Sequence, residues 1–308
     1  MKSIIKRFVI QLLRIRPSNS SKYDSQIYAL REAIMNLDDL KHVDDSSSEG
    51  EWIRNRVELR KIIQDRDPTT FLEWDLIKFT MCIQFPARII DTALRKLKKN
   101  NNFASYWKKA LKETEVGMPL RHIKYPLSSG QTIYQAYHFS VFEKHAKIKV
   151  SDLGHIIEFG GGYGNGLRVA SNLGFKGSYS IYDLPEFSLL QKFYTSCWYP
   201  SSNDNQLSTT NFGSCDKFIN DTEKLIRNKN SKSLFLATWS FTEAPTDIRK
   251  KFDGIINEVD YILIGFLHSF KEVNNKLYLE KLASSLGLNY SLIPICELDG
   301  KNYYFFSK

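Results

Sequence analysis

Five glycines crowd into the seven positions Gly160-Gly-Gly-Tyr-Gly-Asn-Gly166, directly after the apolar run "HIIEF" and before the helical pattern "LRVASNLG". Side chains are given up in this way where backbone must turn tightly or lie against a ligand. The spacing is Glu158-x-Gly160-x-Gly162-x-Gly164, with an acid two residues ahead of the first glycine. A dinucleotide loop needs G-x-G-x-x-G. Counting from Gly160, its third glycine falls on Asn165; counting from Gly161, its second falls on Tyr163. A nicotinamide oxidoreductase is therefore disfavoured. Further chemistry-bearing residues follow at the ends of β-like runs: Asp183 in "YSIYDLPEF", Trp239, Ser240 and Glu243 in "LFLATWSFTEAP", and His268 in "LIGFLHSF". Upstream, Tyr134 and His138 stand one helical turn apart and share a face.

An acid followed by G-x-G-x-G resembles the first motif of the class I S-adenosylmethionine-dependent methyltransferases. That resemblance implies S-adenosyl-L-methionine as cofactor, a ligand with a sulfonium and an ammonium in place of a pyrophosphate. Glu158 would then help to hold the cationic end, directly or through water, over Gly160, Gly162 and Gly164. Asp183, 23 residues beyond Gly160, would accept the two ribose hydroxyls. Leu184 would lie against the adenine, and Asp216 in "NFGSCDKF" near its amine, with Trp239 at the mouth of the sheet.

Methyl transfer from a sulfonium is an in-line displacement, so the protein must position the acceptor and, for an alcohol, remove its proton. His138, Glu243 and His268 are the candidate catalytic residues, and Tyr134 and Ser240 the candidate substrate contacts. No metal is expected, because the acids and histidines near strand ends form no ligand-spaced cluster. Residues 65–290, above all "DLPE" and "SFTEAP", resemble a narrower family, the sugar O-methyltransferases of bacterial surface-polysaccharide gene clusters. That resemblance implies a hydroxyl of a sugar or glycan precursor as acceptor. The chain departs from the family pattern in carrying His268 where glutamine is more usual. An RNA or other small-molecule methyltransferase and a non-catalytic partner subunit are the alternatives, although no nucleic-acid-binding module is recognisable and nucleic acid is not an expected partner.

The elements that must position these residues divide the chain into a helical cap or substrate region, 1–149, and an α/β methyltransferase domain, 150–308. From Ser151 onward β-like runs ("HIIEF", "GSYSIYD", "QLSTT", "SLFLATW", "YILIGFL") alternate with helical ones, which predicts a Rossmann-like, mostly parallel sheet. The final strands flank Asp299-Gly300, predicting a terminal antiparallel hairpin. In the cap, "SQIYALREAIMNL" has helical spacing, 42–51 reads as a polar loop, and Pro68 with Thr70 and Glu73 predicts the capped start of one long helix.

Charge is uneven: residues 1–150 hold 27 Lys and Arg against 17 Asp and Glu, residues 151–308 hold 16 against 17. A basic cap suits a nucleotide-sugar or lipid-linked phosphate, or simply a solvated helical surface. The basic, apolar N-terminus "MKSIIKRFVIQLLRIRP" allows peripheral contact with an anionic membrane. Four scattered cysteines, no membrane-length apolar run and no cleavable leader predict a cytoplasmic protein, possible at the inner face of a membrane. Oligomeric state is not legible.

Overall fold

The computed structural model describes residues 14, 20–40, 48–81, 85–199, 215–227, 231–298 and 300–308. Its centre is a six-stranded sheet of β1 (Leu153–Phe159), β2 (Ser178–Tyr182), β3 (Lys232–Thr238), β4 (Tyr261–Leu267), β5 (Tyr290–Pro294) and β6 (Asn302–Ser307). The order is β2-β1-β3-β4-β6-β5. The first four strands run parallel, and β6 is antiparallel to both β4 and β5. The expected α/β architecture, mostly parallel with antiparallel terminal strands, is the one observed.

Near-continuous apolar runs such as "SLFLAT" and "YILIGFL" form these strands because both faces are covered. Ile156, Leu234, Leu236 and Tyr304 face α4 (Gly130–Ala146) and α5 (Asn165–Asn172). The alternate residues Ile157, Phe235, Ile264 and Phe305 face α7 (Cys215–Ile226), the helix Asp253–Glu258 and α8 (Asn275–Leu286). Register aligns the carboxyl ends: Phe159 lies opposite Tyr182 and Ala237, and Thr238 opposite Gly265. From β1 the chain goes to β2 on one side and to β3 on the other. The glycine loop and Trp239 therefore meet at the switch point where open α/β sheets bind ligands.

The N-terminal helices pack onto this sheet-and-helix body. Leu30 and Ile34 of α1 (Asp24–Met35) and Leu59 and Ile63 of α2 (Ser48–Asp65) share a core with Tyr163 and with Phe187, Leu190 and Tyr194 of α6 (Pro185–Trp198). Another helix, α3 (Ala87–Lys98), buries Ile89, Ile90, Leu94 and Leu97 beside α4. Each such side chain contributes about 1.5–3 kcal/mol on burial.

Three sequence expectations are corrected. Residues 48–51, read as loop, already belong to α2. The long helix from Pro68 is instead a 3-10 helix, Pro68–Glu73, and a six-residue α-helix, Asp75–Thr80. Asp67 caps the first by accepting from Thr69 N at 2.9 Å, and Trp74, 2% exposed, breaks the helix with ψ 134° as it enters the core. The terminal strands pair as expected, but residues 295–301 join them rather than a two-residue turn. The "QLSTT" strand, Ser214 and Asp299 lie outside the described residues. So does the N-terminal amphipathic stretch, save for Arg14, which pairs with Glu73 at 2.6 Å. No described helix is long and apolar enough to cross a membrane.

Candidate active site

The glycine loop is built from left-handed backbone: φ is +70° at Gly160, +57° at Gly162 and +87° at Gly164. At Gly160 space also demands glycine, because a Cβ would sit 2.3 Å from Ser240 Cβ. Gly160 N donates to Tyr182 O at 2.7 Å, tying the loop to the end of β2. Ser240 Oγ donates to Phe159 O, tying it to the turn after β3. The hydroxyl of Ser240, expected to touch substrate, is thus engaged in holding the loop. At Gly162 the missing side chain faces space, with Met81 Sδ at 3.9 Å the nearest atom to a built Cβ.

Two carboxyls flank this loop. Asp183 accepts from Leu184 N at 2.8 Å, from Gln191 Nε2 at 2.7 Å, and from the amides of Gly161 and Gly162. Gln191 Nε2 also donates to Gly162 O at 2.9 Å, so it bridges acid and loop. Enclosure pushes the Asp183 carboxyl up to about 7, against the pull of those donors. Glu158, 3% exposed, accepts from Tyr179 Oη at 2.8 Å, and burial pushes it up to about 7 as well. Its oxygens would lie 2.9 Å from a Cβ at Gly166. Glu158 is therefore enclosed beneath the loop, between Tyr179 and Gly166.

The loop's cationic neighbour, Arg168, is turned away. Its guanidinium is 2.7 Å from Glu113, and the two side chains are 3% and 4% exposed. Thr132 Oγ1 at 2.6 Å, Asn165 Oδ1 at 2.8 Å, Lys112 O and the Tyr194 hydroxyl are further partners.

Trp239 ends β3 in a conformation few side chains adopt, φ 69° and ψ −40°. Such backbone costs about 1–3 kcal/mol and persists where surroundings over-determine it. Here Trp239 N donates to Gly265 O at 2.6 Å, its carbonyl accepts from Thr242 N and Glu243 N, and Nε1 donates to Asn302 Oδ1 at 2.8 Å. The ring lies 6.3 Å from Tyr134 at 22° and 5.7 Å from His138 at 62°. Tyr134 is 2% exposed, and its Oη has no partner among the described residues. His138 is 3% exposed, with Nδ1 2.7 Å from Tyr304 Oη, and burial pushes its pKa down to about 3.

Gly160, Gly162, Gly164, Asp183, Trp239, Ser240, Tyr134 and His138 thus form one linked assembly. Leu184 is half-buried between it and the cap core. Glu243 ends the short helix Ser240–Glu243; its side chain reaches solvent, yet surrounding protein displaces enough water to push its carboxyl upward, against Arg249 and Lys271. His268 lies past the end of β4, with Nδ1 2.9 Å from Ser269 Oγ. Asp216 is exposed at the start of α7 and pairs with Lys251 at 3.0 Å, away from the linked assembly's bonds. Among the described residues no group of three or more His, Cys, Asp or Glu is placed to hold a metal.

Sequence reasoning missed the supports. Glu186, fully buried in the "DLPE" segment, is held by Arg56 and Arg60 of α2, each at 2.6 Å. Arg249, 1% exposed, donates to Ala244 O, Thr242 O and Asn275 Oδ1, fixing the turn after Trp239. An open recess of about 590 Å³ lies on the cap, lined by Ile34, Leu37, Val57 and Lys61 among others, and includes none of the assembly.

No family model matches the chain, and no curated protein matches it in sequence. Solved structures resemble it weakly. A SAM-dependent methyltransferase from Aquifex aeolicus is 11% identical, with 55% of this chain and 88% of that one covered and a TM-score of 0.37. Magnesium protoporphyrin IX methyltransferase from Synechocystis PCC 6803, with bound SAM, is 10% identical over 73% and 97%, with a TM-score of 0.39. An O-methyltransferase family protein from Burkholderia thailandensis is 12% identical over 58% and 59%, with a TM-score of 0.34. Likeness at this level decides neither cofactor nor substrate.

Proposed function

We propose that the chain is an S-adenosylmethionine-dependent O-methyltransferase. Its acceptor is a hydroxyl of a sugar or glycan precursor, taken up between residues 150–308 and the cap, residues 1–149. The observation that carries the cofactor is the electrostatic character of the loop. Two carboxyls with raised pKa stand against it, while Arg168, its neighbouring cation, is consumed by Glu113. A ligand bearing positive charge would stabilise the ionised form of these carboxyls, and a pyrophosphate would not. The residues fit an adenosyl ligand: bare backbone at Gly162 faces open space, and vicinal hydroxyls would replace some of the donors that the Asp183 carboxylate now accepts from Leu184, Gln191 and the loop amides. When bound, the cofactor supplies a methyl group already activated on a sulfonium.

The protein's own residues then orient and deprotonate. The half-buried Trp239 ring offers a flat apolar wall of the kind that packs on the C–H face of a sugar, and the buried Tyr134 ring backs it. Glu243, with its raised affinity for a proton, accepts the acceptor hydroxyl's proton, and His268 is the second candidate for that role. The sugar itself rests on the "DLPE" and "SFTEAP" resemblance, and the basic cap suits a phosphate-bearing carrier.

Calorimetric titration tests the cofactor. S-adenosylhomocysteine is expected to bind and NAD to give no heat. Asp183→Ala should weaken binding roughly tenfold or more, since a hydrogen bond to a charged group contributes about 1.5–3 kcal/mol. Unchanged affinity in that variant removes Asp183 from the site, and binding of NAD in preference overturns the reading.

A further inference from the structure

The buried pair His138 and Tyr304 decides what kind of group His138 is. Tyr304 lies in β6 opposite Gly265 and is 1% exposed; its Oη is 2.7 Å from His138 Nδ1 on α4. Among the described residues Nδ1 is the hydrogen-bond partner of that phenol. Two arrangements satisfy the distance. If Nδ1–H donates to the phenol oxygen, the phenol hydrogen is left enclosed with no acceptor, and the bare Nε2 is unpaired too. If the phenol donates to Nδ1, the phenol hydrogen is satisfied, and Nε2–H alone remains, on a ring that keeps 3% of its surface accessible. Leaving a wholly buried donor unmade is the costlier choice.

We propose that Tyr304 is a positioning residue that holds His138 in the neutral Nε2–H tautomer, so that His138 presents a hydrogen-bond donor beside Trp239 and not a proton acceptor. The surroundings agree. The imidazole stands edge-to-face against Tyr134 at 4.5 Å and against Trp239 at 5.7 Å, neither of which stabilises an imidazolium by charge. The charged groups of the cluster, Lys96 of α3 and Glu297, neutralise each other at 2.7 Å, with Tyr137 Oη accepting from Lys96 at 2.8 Å. Burial accordingly disfavours the protonated ring. In the methyltransferase reading, on which this role rests, Nε2–H holds an oxygen lone pair of the acceptor or its neighbouring hydroxyl. The base is then left to another residue.

The tautomer is measured on the full chain labelled with 15N-histidine, by long-range 1H–15N correlation between pH 5 and 8. His138→Gln identifies the His138 signals among the six histidines. The expected result is an Nε2-protonated pattern that does not titrate across this range. A Nδ1-protonated pattern, or a ring that becomes cationic above pH 5, overturns the proposal; if His138→Gln does not fold, sequential assignment of the unaltered chain identifies the same ring. Tyr304→Phe should release the lock and give mixed tautomers; an unchanged pattern there removes Tyr304 as the positioning residue. S-adenosylhomocysteine is then added to saturation. Failure to bind would refute the methyltransferase reading while leaving the ligand-free tautomer result standing, and the reverse outcome would leave that reading and refute this one.

Discussion

At the scale of residues, the acids around the loop decide both stability and ligand preference. Burial pushes the Glu158 and Asp183 carboxyls up to about 7 in the folded chain, from about 4 when unfolded. Between those values the native state binds more protons than the unfolded state, so stability falls as pH rises from about 4 to about 7. A tenfold change in proton affinity corresponds to about 1.4 kcal/mol, so two such groups make the slope measurable. The melting temperature is expected to drop by several degrees between pH 5 and pH 8. Glu158→Gln and Asp183→Asn should each flatten that slope, and identical slopes in all three proteins would show that neither acid is strained by its burial. A ligand that donates to Asp183 favours the ionised form. S-adenosylhomocysteine should therefore bind more tightly at pH 8 than at pH 6 and lose that dependence in Asp183→Asn.

At the scale of elements, the glycine loop separates two requirements that its sequence merges. Gly160 and Gly162 both have positive φ, but only at Gly160 does a Cβ collide, with Ser240, whose hydroxyl holds Phe159 O. Gly160→Ala should cost about 1–3 kcal/mol in urea unfolding, from strain and from displacement of that tie. Gly162→Ala carries only the backbone strain, about 1 kcal/mol. Its Cβ would enter the open space proposed for the cofactor, so it should damage S-adenosylhomocysteine binding more than its stability cost explains. Equal stability losses would mean that Ser240 does not clamp the loop.

The loop was legible because its signal is local: glycines at fixed spacing between a strand and a helix, with Asp183 at the next strand end. The alternation after Ser151 was legible for the same reason. What could not be read are contacts across long stretches of chain. Glu186 meets Arg56 130 residues away, and His138 meets Tyr304 166 residues away. The positive φ of Trp239 has no sequence signature, since it arises from Gly265, Asn302 and the Arg249-braced turn. The misread start at Pro68 failed differently, because apolar burial of Trp74 overrode helical patterning.

At the scale of the whole molecule, the basic excess of the cap is partly spent inside the fold, on contacts that join it to the α/β body. Arg56 and Arg60 hold Glu186, and Lys96 holds Glu297. In the opposite sense, Arg168 of the body holds Glu113 of the cap, where Glu113 also accepts from Ser129 N at 3.0 Å and Thr132 Oγ1 at 2.7 Å. Apolar cores cross the same division: one runs from Tyr23 to Tyr194, another from Ile89 to Phe306. Cap and body should therefore unfold together. Arg168→Met would leave Glu113 charged and enclosed, a defect worth about 3–5 kcal/mol. Glu186→Gln should cost less, about 1–3 kcal/mol, because Arg56 and Arg60 keep a route to water. Both variants are expected to give one urea transition, coincident by far-ultraviolet circular dichroism and tryptophan fluorescence, since Trp52, Trp74 and Trp107 report on residues 1–149 and Trp198 and Trp239 on residues 150–308. If Arg168→Met melts the cap first and leaves the sheet folded, the joint is an accessory and the cap is free to move on the cleft. A single shifted transition would make the Glu113–Arg168 pair part of the common core, three residues beyond Asn165 at the end of the loop.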